Sequence, residues 1–167
     1  MCGRDYSTYT EEELYFRYLN RKSWGWLVQE KIPPCTPNYN MCPTQLSLAL
    51  AVREGTLGFH QMRWGLVPSW AKTVKDADKY STINAKSEEI TQKRSFKSPF
   101  KKQRCIIPVS GFYEWKRVNG KKHPYAIHMA DNSIMSIAGI WEHWEDHTTG
   151  EIVESFALLT TAANTLM

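Results

Sequence analysis

The chain has 167 residues, a net charge of +4 and 42% hydrophobic residues, which is the composition of an ordinary globular domain. That composition excludes a disordered, collagenous or coiled-coil protein. The sequence has no apolar run near the ~18 residues of a membrane span and no signal-peptide pattern at its start. We therefore expect one domain, located in the cytoplasm or, in a eukaryote, in the nucleus, with no membrane partner.

The first predicted element is a helix. Thr10 and Glu13 have the spacing of a capping box, and the apolar residues that follow recur on one helical face as far as about Lys22. Four prolines predict an irregular, rigid loop over residues 31–43. Leucine and valine alternate with small or polar residues over 46–52, which predicts a half-buried strand.

A turn at Gly55 leads into a second predicted strand that ends at Trp64. Residues 87–90 are interpreted as the start of a short helix. The remaining predicted strands cover residues 105–115, 124–129, 134–141 and 151–161. The pattern favours a single β-rich α+β domain, in which antiparallel strands curl toward a barrel with a few flanking helices.

The cysteines are expected to be free thiols, because a reducing compartment disfavours disulfides. No Cys-x-x-Cys pair is present, and the five histidines show no ligand spacing, so we expect no metal and no cofactor. The cysteines are Cys2, Cys35, Cys42 and Cys105.

Residues 72–104 contain ten basic and four acidic residues, whereas residues 139–167 contain five carboxylates and no Lys or Arg. A basic segment beside many aromatic residues is suited to a polyanion, although a solvated surface explains the charge equally simply. Trp70 follows Gly65 and Pro68 and is interpreted as a loop residue that stacks on unpaired bases. Trp64 is predicted to be core.

Cys2 is the most informative residue for chemistry. Removal of Met1 would leave an α-amine and a thiol on one residue, and the amine, with a reference pKa of ~7.7–8.0, is partly neutral at physiological pH. The amine can form a Schiff base with an aldehyde, and the thiol can then close a thiazolidine ring without metal or cofactor. An incidental terminal cysteine is the simpler explanation from position alone.

Two other segments carry candidate groups. Strand alternation places Glu114 on the same face as Phe112, among aromatic residues, where a carboxylate is suited to proton transfer. Asn84 is placed to bond a sugar or a reacting group, and Lys86 to meet a phosphate. A solvated strand face and a turn with a surface lysine are the alternatives.

The motif pieces occur at residues 1–4, 38–40 with Pro43, 62–70, 83–85, 111–115, 138–140 and 158–164. Together and in this order they resemble the SRAP family, the SOS-response-associated peptidase-like proteins. The resemblance implies a sensor and shield of abasic sites in single-stranded DNA, which forms a thiazolidine DNA–protein crosslink through Cys2. It also implies lyase-like activity and autoproteolytic removal of Met1.

The same resemblance assigns the roles. Cys2 is the nucleophile, Asn84 orients the sugar or the terminus, and Glu114 handles protons near the amine. The residues matching DNA-contact positions are Arg4 and Lys86 for phosphates, and Pro43 and Trp70 for the bases flanking the lesion. A monomer is expected, associated with the nucleoid in a bacterium.

Two departures from the family pattern affect these expectations. Lys86 stands where the family usually has Arg, which keeps the charge but loses the bidentate fork. The family's His-x-Arg-Met-Pro-like motif would follow the segment 158–164, whereas the sequence ends at Met167. We therefore expect a domain truncated before that motif and impaired in activity. A retained Met1 would turn the α-amine of Cys2 into an amide, which forms no Schiff base.

Two other function classes are weighed against this one. A cysteine peptidase with Cys2 as nucleophile needs an imidazole partner, which this sequence does not convincingly supply. A non-catalytic single-stranded DNA-binding module would need only the basic segment and Trp70.

Overall fold

The computed structural model describes residues 3–20, 27–29 and 31–162. The strands within them are β1 (Asp5–Ser7), β2 (Leu27–Val28), β3 (Asn38–Met41), β4 (Leu46–Arg53), β5 (Thr56–Trp64), β6 (Asn84–Lys86), β7 (Arg104–Val109), β8 (Gly111–Val118), β9 (Lys121–His128), β10 (Met135–Glu145) and β11 (Ile152–Thr160). The helices are α1 (Glu11–Leu14), α2 (Val74–Ala77) and α3 (Lys97–Lys102), with a π-helical turn (Tyr15–Leu19) directly after α1.

The strands form two sheets. The larger has the order β2-β5-β4-β7-β10-β11-β6, and β5 also pairs with β11. That extra pairing closes β5, β4, β7, β10 and β11 into a five-stranded barrel, as the sequence pattern predicted. The smaller sheet has the order β3-β1-β8-β9. Most neighbours are antiparallel, but β11 runs parallel to both β5 and β6, and β2 runs parallel to β5.

The barrel core is the cluster of buried side chains shared by β4, β5, β7 and β11. Its members are Met41, Ala49, Ala51, Met62, Trp64, Cys105, Ile107, Val109, Phe156 and Leu158. Trp64 and Phe156 stack within it, with ring centroids 6.4 Å apart, which confirms Trp64 as core. Met41 and Phe112 bring the smaller sheet into contact with the same core.

The prediction of a half-buried strand at 46–52 is wrong about burial. β4 lies between β5 and β7 in the sheet, and both of its faces are covered. Ala49 and Ala51 face the barrel core, whereas Leu48 and Leu50 pack beneath the first helical segment. Alternation of small and large apolar side chains therefore marks two buried faces here.

The first helix begins as predicted and ends earlier. Thr10 Oγ1 accepts a hydrogen bond from the Glu13 N–H (3.2 Å), and Glu13 Oε2 accepts one from the Thr10 N–H (2.7 Å). This is the predicted capping box. The helical segment ends at Leu19, because Asn20 leaves the helical region with ψ 44°. Lys22, the predicted end, lies outside the described residues.

Several other boundaries differ from the prediction. β9 begins at Lys121 and not at 124, and β10 ends at Glu145 and not at 141. Three further differences change the elements themselves. The loop predicted over 31–43 contains β3, because residues 38–41 are free of proline and pair with β1. The helix predicted at 87–90 is a series of turns, in which Glu89 N–H bonds the Lys86 carbonyl three residues earlier (3.1 Å). The strand predicted at 105–115 is two strands in different sheets, divided at Ser110, whose N–H bonds the Tyr6 carbonyl (2.9 Å).

Candidate functional site

The N-terminal segment lies beside the strand that carries Glu114. Cys2, the predicted nucleophile, lies outside the described residues. Tyr113 N–H donates to the Arg4 carbonyl (2.9 Å), and Asp5 pairs with Phe112 across β1 and β8. β1 is the central neighbour of β3 and β8, so the backbone that follows Cys2 is held on both sides.

Glu114 is half-buried on β8, directly opposite Tyr125 on β9. Because alternate residues of a strand share a face, Glu114 lies on the same side as Phe112, which packs against the barrel core. The other side of β8 is aromatic. Tyr113 stacks obliquely on Tyr6, with centroids 5.4 Å apart, and its hydroxyl donates to the Tyr39 carbonyl (3.0 Å).

Asn84 is buried, with 9% of its surface exposed, at the start of β6 opposite Leu158 of β11. The preceding residue, Ile83, packs against the barrel core, and its carbonyl accepts a hydrogen bond from Trp64 Nε1 (3.0 Å). Lys86 lies two residues further along β6, on the same side as Asn84, and is exposed. This side of the strand therefore pairs a buried amide with a solvent-facing cation.

The strands of Asn84 and Glu114 belong to different sheets, yet both border the barrel core. Ile83 precedes Asn84, Phe112 lies two residues before Glu114, and both of these apolar side chains pack against the same buried cluster. The fold therefore brings the segments that carry the carboxamide and the carboxylate, from distant parts of the sequence, to one buried cluster through these apolar neighbours.

Trp70 lies on the loop that follows β5, as predicted, but it is half-buried within a cluster of its own. The Arg94 guanidinium carbon lies 5.1 Å from the centroid of the Trp70 ring, and the Tyr80 ring meets it edge-on at 5.3 Å. Leu66 N–H bonds the Thr82 carbonyl (3.2 Å), which ties this loop to the residues just before β6. The loop that carries Trp70 is thereby bonded to the segment that leads into Asn84.

Sequence reasoning did not identify Tyr80 or Arg94. Arg94 carried one signal, because it belongs to the basic segment 72–104, but nothing indicated which basic residue would reach an aromatic ring. Tyr80 lies in no motif. Their contacts with Trp70 arise from the turns around α2 and before α3, and the sequence pattern did not predict those elements.

Arg4 directly precedes β1, and Pro43 follows β3, the strand that pairs with β1. Arg4 is half-buried, and its Nη1 donates to Asn40 Oδ1 (2.6 Å). Pro43 is half-buried after β3, and the next residue, Thr44, donates its N–H to the Trp64 carbonyl at the end of β5 (2.7 Å). Both residues therefore sit where the smaller sheet meets the barrel.

Asp5 is a buried carboxylic acid that the sequence analysis did not single out. It is 1% exposed on β1, and burial raises the pKa of its carboxyl group to about 7. One of its oxygens is buried without a hydrogen-bond partner among the described residues. Asp5, Ser7 and Tyr9 are alternate residues whose side chains are buried. Because two of the three are polar, this stretch shows no hydrophobic alternation from which a buried strand could be predicted.

Two of the remaining cysteines are poor nucleophiles. Burial raises the pKa of the Cys105 thiol to about 12 and that of the Cys35 thiol to about 11. The thiolate is the reactive form, and little of it exists at neutral pH at such values. Cys35, Cys42 and Cys105 are free thiols.

Over the described ranges, no three His, Cys, Asp or Glu side chains are grouped as metal ligands. The same residues include no helix long and apolar enough to cross a membrane.

Comparison with known proteins gives a consistent result. The family model described as "SOS response associated peptidase (SRAP)" matches residues 1–167. The abasic site processing protein YoaM of Bacillus subtilis is 39% identical, over 78% of this chain and 57% of its own length. The abasic site processing protein HMCES of Rattus norvegicus is 32% identical, over 96% of this chain and 56% of its own length. This chain therefore spans little more than half the length of these relatives.

The fold also matches solved structures. A crystal structure of a protein from Bacteroides thetaiotaomicron is 28% identical, with a TM-score of 0.81 over 99% of this chain and 70% of that one. A protein from Bordetella bronchiseptica is 25% identical, with a TM-score of 0.75 over 98% of this chain and 74% of that one. These chains share the β-rich architecture described above.

Proposed function

We propose that this chain, which belongs to the SOS response associated peptidase (SRAP) family, processes abasic sites in single-stranded DNA by bonding to them covalently. Relatives whose names describe abasic site processing support this substrate. The structural observation that carries the proposal is the pairing of β1 with β8, because it holds the backbone following Cys2 beside Glu114.

The reaction assigned to Cys2 balances without a cofactor. Once Met1 has been removed, the free α-amine attacks the aldehyde of the ring-opened sugar, and one water leaves as the imine forms. The thiol then adds across the C=N bond, with its proton passing to nitrogen, to close a thiazolidine. Nothing is oxidised or reduced, and the DNA remains bonded to the N-terminus of the protein.

Glu114 and Asn84 have different roles in these reaction steps. Sugar ring opening, loss of water and thiol addition all move protons, and a half-buried carboxylate beside the N-terminal segment is suited to that work. Asn84 cannot titrate, so its amide orients the sugar or the terminus. Release of Met1 by the same cysteine is part of the proposal, since a retained Met1 blocks the amine.

Four further residues contact the DNA in this proposal, in the roles that the family resemblance gives them. Arg4 and Lys86 neutralise phosphates. Arg4 directly precedes β1 of the smaller sheet, and Lys86 ends β6 of the larger one. Pro43 and Trp70 pack against the bases that flank the lesion. Arg94 lies over the Trp70 indole and the Tyr80 ring meets it edge-on, so a base stacks on the part of the indole that these two side chains leave exposed.

A gel assay tests the proposal. The protein lacking Met1 is incubated with an abasic single-stranded oligonucleotide or the same sequence with an intact base, and both are run on a denaturing gel. A covalent band that needs the lesion is the expected result. Cleavage of added peptides without a crosslink would instead indicate a cysteine peptidase. Salt-sensitive binding without a covalent band would indicate a binding module, and either outcome overturns the proposal.

A further inference from the structure

The hairpin formed by β8 and β9 projects from the smaller sheet. Its strands join through a two-residue turn, Asn119-Gly120, in which both residues have positive φ (50° and 77°). This is the backbone conformation of a type I′ turn, whose twist matches that of the flanking strands. Every residue from 115 to 126 is exposed, so both faces of this part of the hairpin are accessible to solvent.

The exposed part of the hairpin is strongly cationic. It carries two basic residues on each strand and no acidic residue between Glu114 and Asp131. The basic residues are Lys116, Arg117, Lys121 and Lys122. None of the four forms a hydrogen bond or an ion pair with another side chain in the part of the chain that the structure describes.

Strand register divides these cations between two faces. Directly opposed residues in an antiparallel pair lie on the same side, and alternate residues along a strand do so as well. Glu114 opposes Tyr125, Lys116 opposes His123, and Val118 opposes Lys121, so these pairs make up one face. The opposite face holds the pairs Trp115–Pro124 and Arg117–Lys122.

We propose that the Glu114 face of this hairpin, through Lys116 and Lys121, binds the sugar–phosphate backbone of the DNA strand next to the abasic site. This rests on the proposed function, which places the lesion at Glu114. Strand rise is about 3.4 Å per residue, so Lys116 lies one row, about 7 Å, and Lys121 two rows, about 14 Å, from Glu114. A stacked DNA strand rises about 3.4 Å per nucleotide, so these distances span roughly two to four nucleotides.

The two faces offer a matched control. Lys116→Gln with Lys121→Gln and Arg117→Gln with Lys122→Gln each remove two positive charges from exposed positions of the same hairpin. Binding is measured at several salt concentrations to a single-stranded oligonucleotide with a tetrahydrofuran site, an abasic analogue that lacks the aldehyde. Thermal melting of each variant confirms that the fold is kept.

Log affinity falls as log salt rises, and we expect the first pair of substitutions to make this slope shallower by about 1.4, which is 0.7 for each lost phosphate contact. The second pair should leave the slope near that of the unsubstituted protein. Equal losses for both pairs, or no loss for the first, would overturn the face assignment.

If the proposed function is wrong, the experiment gives a result that differs from failure of the face assignment. The unsubstituted protein would then form no crosslink with a natural abasic oligonucleotide, whatever the hairpin variants do. If crosslinking is intact, the Lys116 and Lys121 variant should reach the unsubstituted crosslinking rate at saturating DNA, because Cys2 and Glu114 are unchanged. A crosslinking rate that stays low at saturation would contradict a role confined to binding.

Discussion

Asp5 carries a carboxyl group buried on β1, and burial raises its pKa to about 7 from an ordinary value of 3.8. A raised pKa means that the folded protein holds the proton more tightly than the unfolded chain does. The stabilisation from this proton is therefore complete below about pH 4 and is lost as the pH rises to about 7.

Asp5→Asn tests this linkage, because the amide has the same shape and cannot ionise. A shift of about three pKa units corresponds to about 4 kcal/mol at most, so the variant should gain stability relative to the unsubstituted protein as the pH rises from 4 to 8. Denaturant unfolding across that range measures the difference. Parallel pH profiles for the two proteins would show that the Asp5 carboxyl does not titrate as described.

Cys2→Ala separates the two groups that Cys2 supplies. The variant keeps the α-amine once Met1 is removed and loses the thiol. It should therefore form an imine with an abasic oligonucleotide, and borohydride should trap this imine by reducing it. Without borohydride the adduct should hydrolyse, because no thiazolidine forms. A denaturing gel of samples with and without borohydride distinguishes the imine from a stable thiazolidine. An untrapped adduct as stable as that of the unsubstituted protein would remove the thiol from the mechanism.

Trp70→Ala should weaken binding to single-stranded DNA by roughly 1–3 kcal/mol if a base stacks on the indole. Trp70→Phe is the control, since it keeps an aromatic face in contact with Arg94 and should recover most of the affinity. Fluorescence anisotropy with a labelled oligonucleotide measures both. Unchanged affinity in Trp70→Ala would rule out the stacking role.

Among the elements, β8 begins at a closely packed glycine. A Cβ on Gly111 would lie 2.6 Å from the Ile127 carbonyl oxygen and would also collide with the Tyr6 hydroxyl. The first of these atoms is backbone on the neighbouring strand and cannot swing away. This close approach sets the spacing of β1, β8 and β9 around Glu114.

Gly111→Ala should therefore destabilise the protein by about 1–3 kcal/mol, the usual cost of overpacking a close-packed site. Gly3→Ala is the matched control, because nothing lies within 4 Å of the Cβ it would add, and it should change stability by less than about 0.5 kcal/mol. Urea unfolding of both variants gives the comparison. Equal stability of the two would contradict the close approach at Gly111.

The elements also show what the sequence predicts well. The capping box at Thr10 and the turn at Gly55 are local, and both predictions are confirmed. Ser110 divides a continuous β-favouring run because its backbone and side chain bond to the distant N-terminal segment. β4 is buried on both faces because the barrel core covers one face and the first helical segment covers the other. Long-range pairing decides such features, and periodicity within one segment does not report it.

At the scale of the whole molecule, closure of the barrel through β5 and β11 explains how remote residues become neighbours. The parallel pairing of β11 with both β5 and β6 brings the Trp64 end of β5 close to Asn84. The Trp64 indole then bonds the Ile83 carbonyl directly. The candidate residues Asn84 and Glu114 were predicted from the sequence by family resemblance, whereas their common border on the barrel core is a property of the closed fold.

In the proposed reaction, the N-terminus of this chain bonds covalently to an abasic site through both groups of Cys2. Mass spectrometry of the protease-digested crosslink tests it most directly. We predict that the DNA remnant is attached to a peptide that begins at Cys2 and lacks Met1, with a mass equal to the sum of the two partners less one water. An adduct on another residue, or on a peptide that still carries Met1, would show that the α-amine and thiol of Cys2 do not form the crosslink.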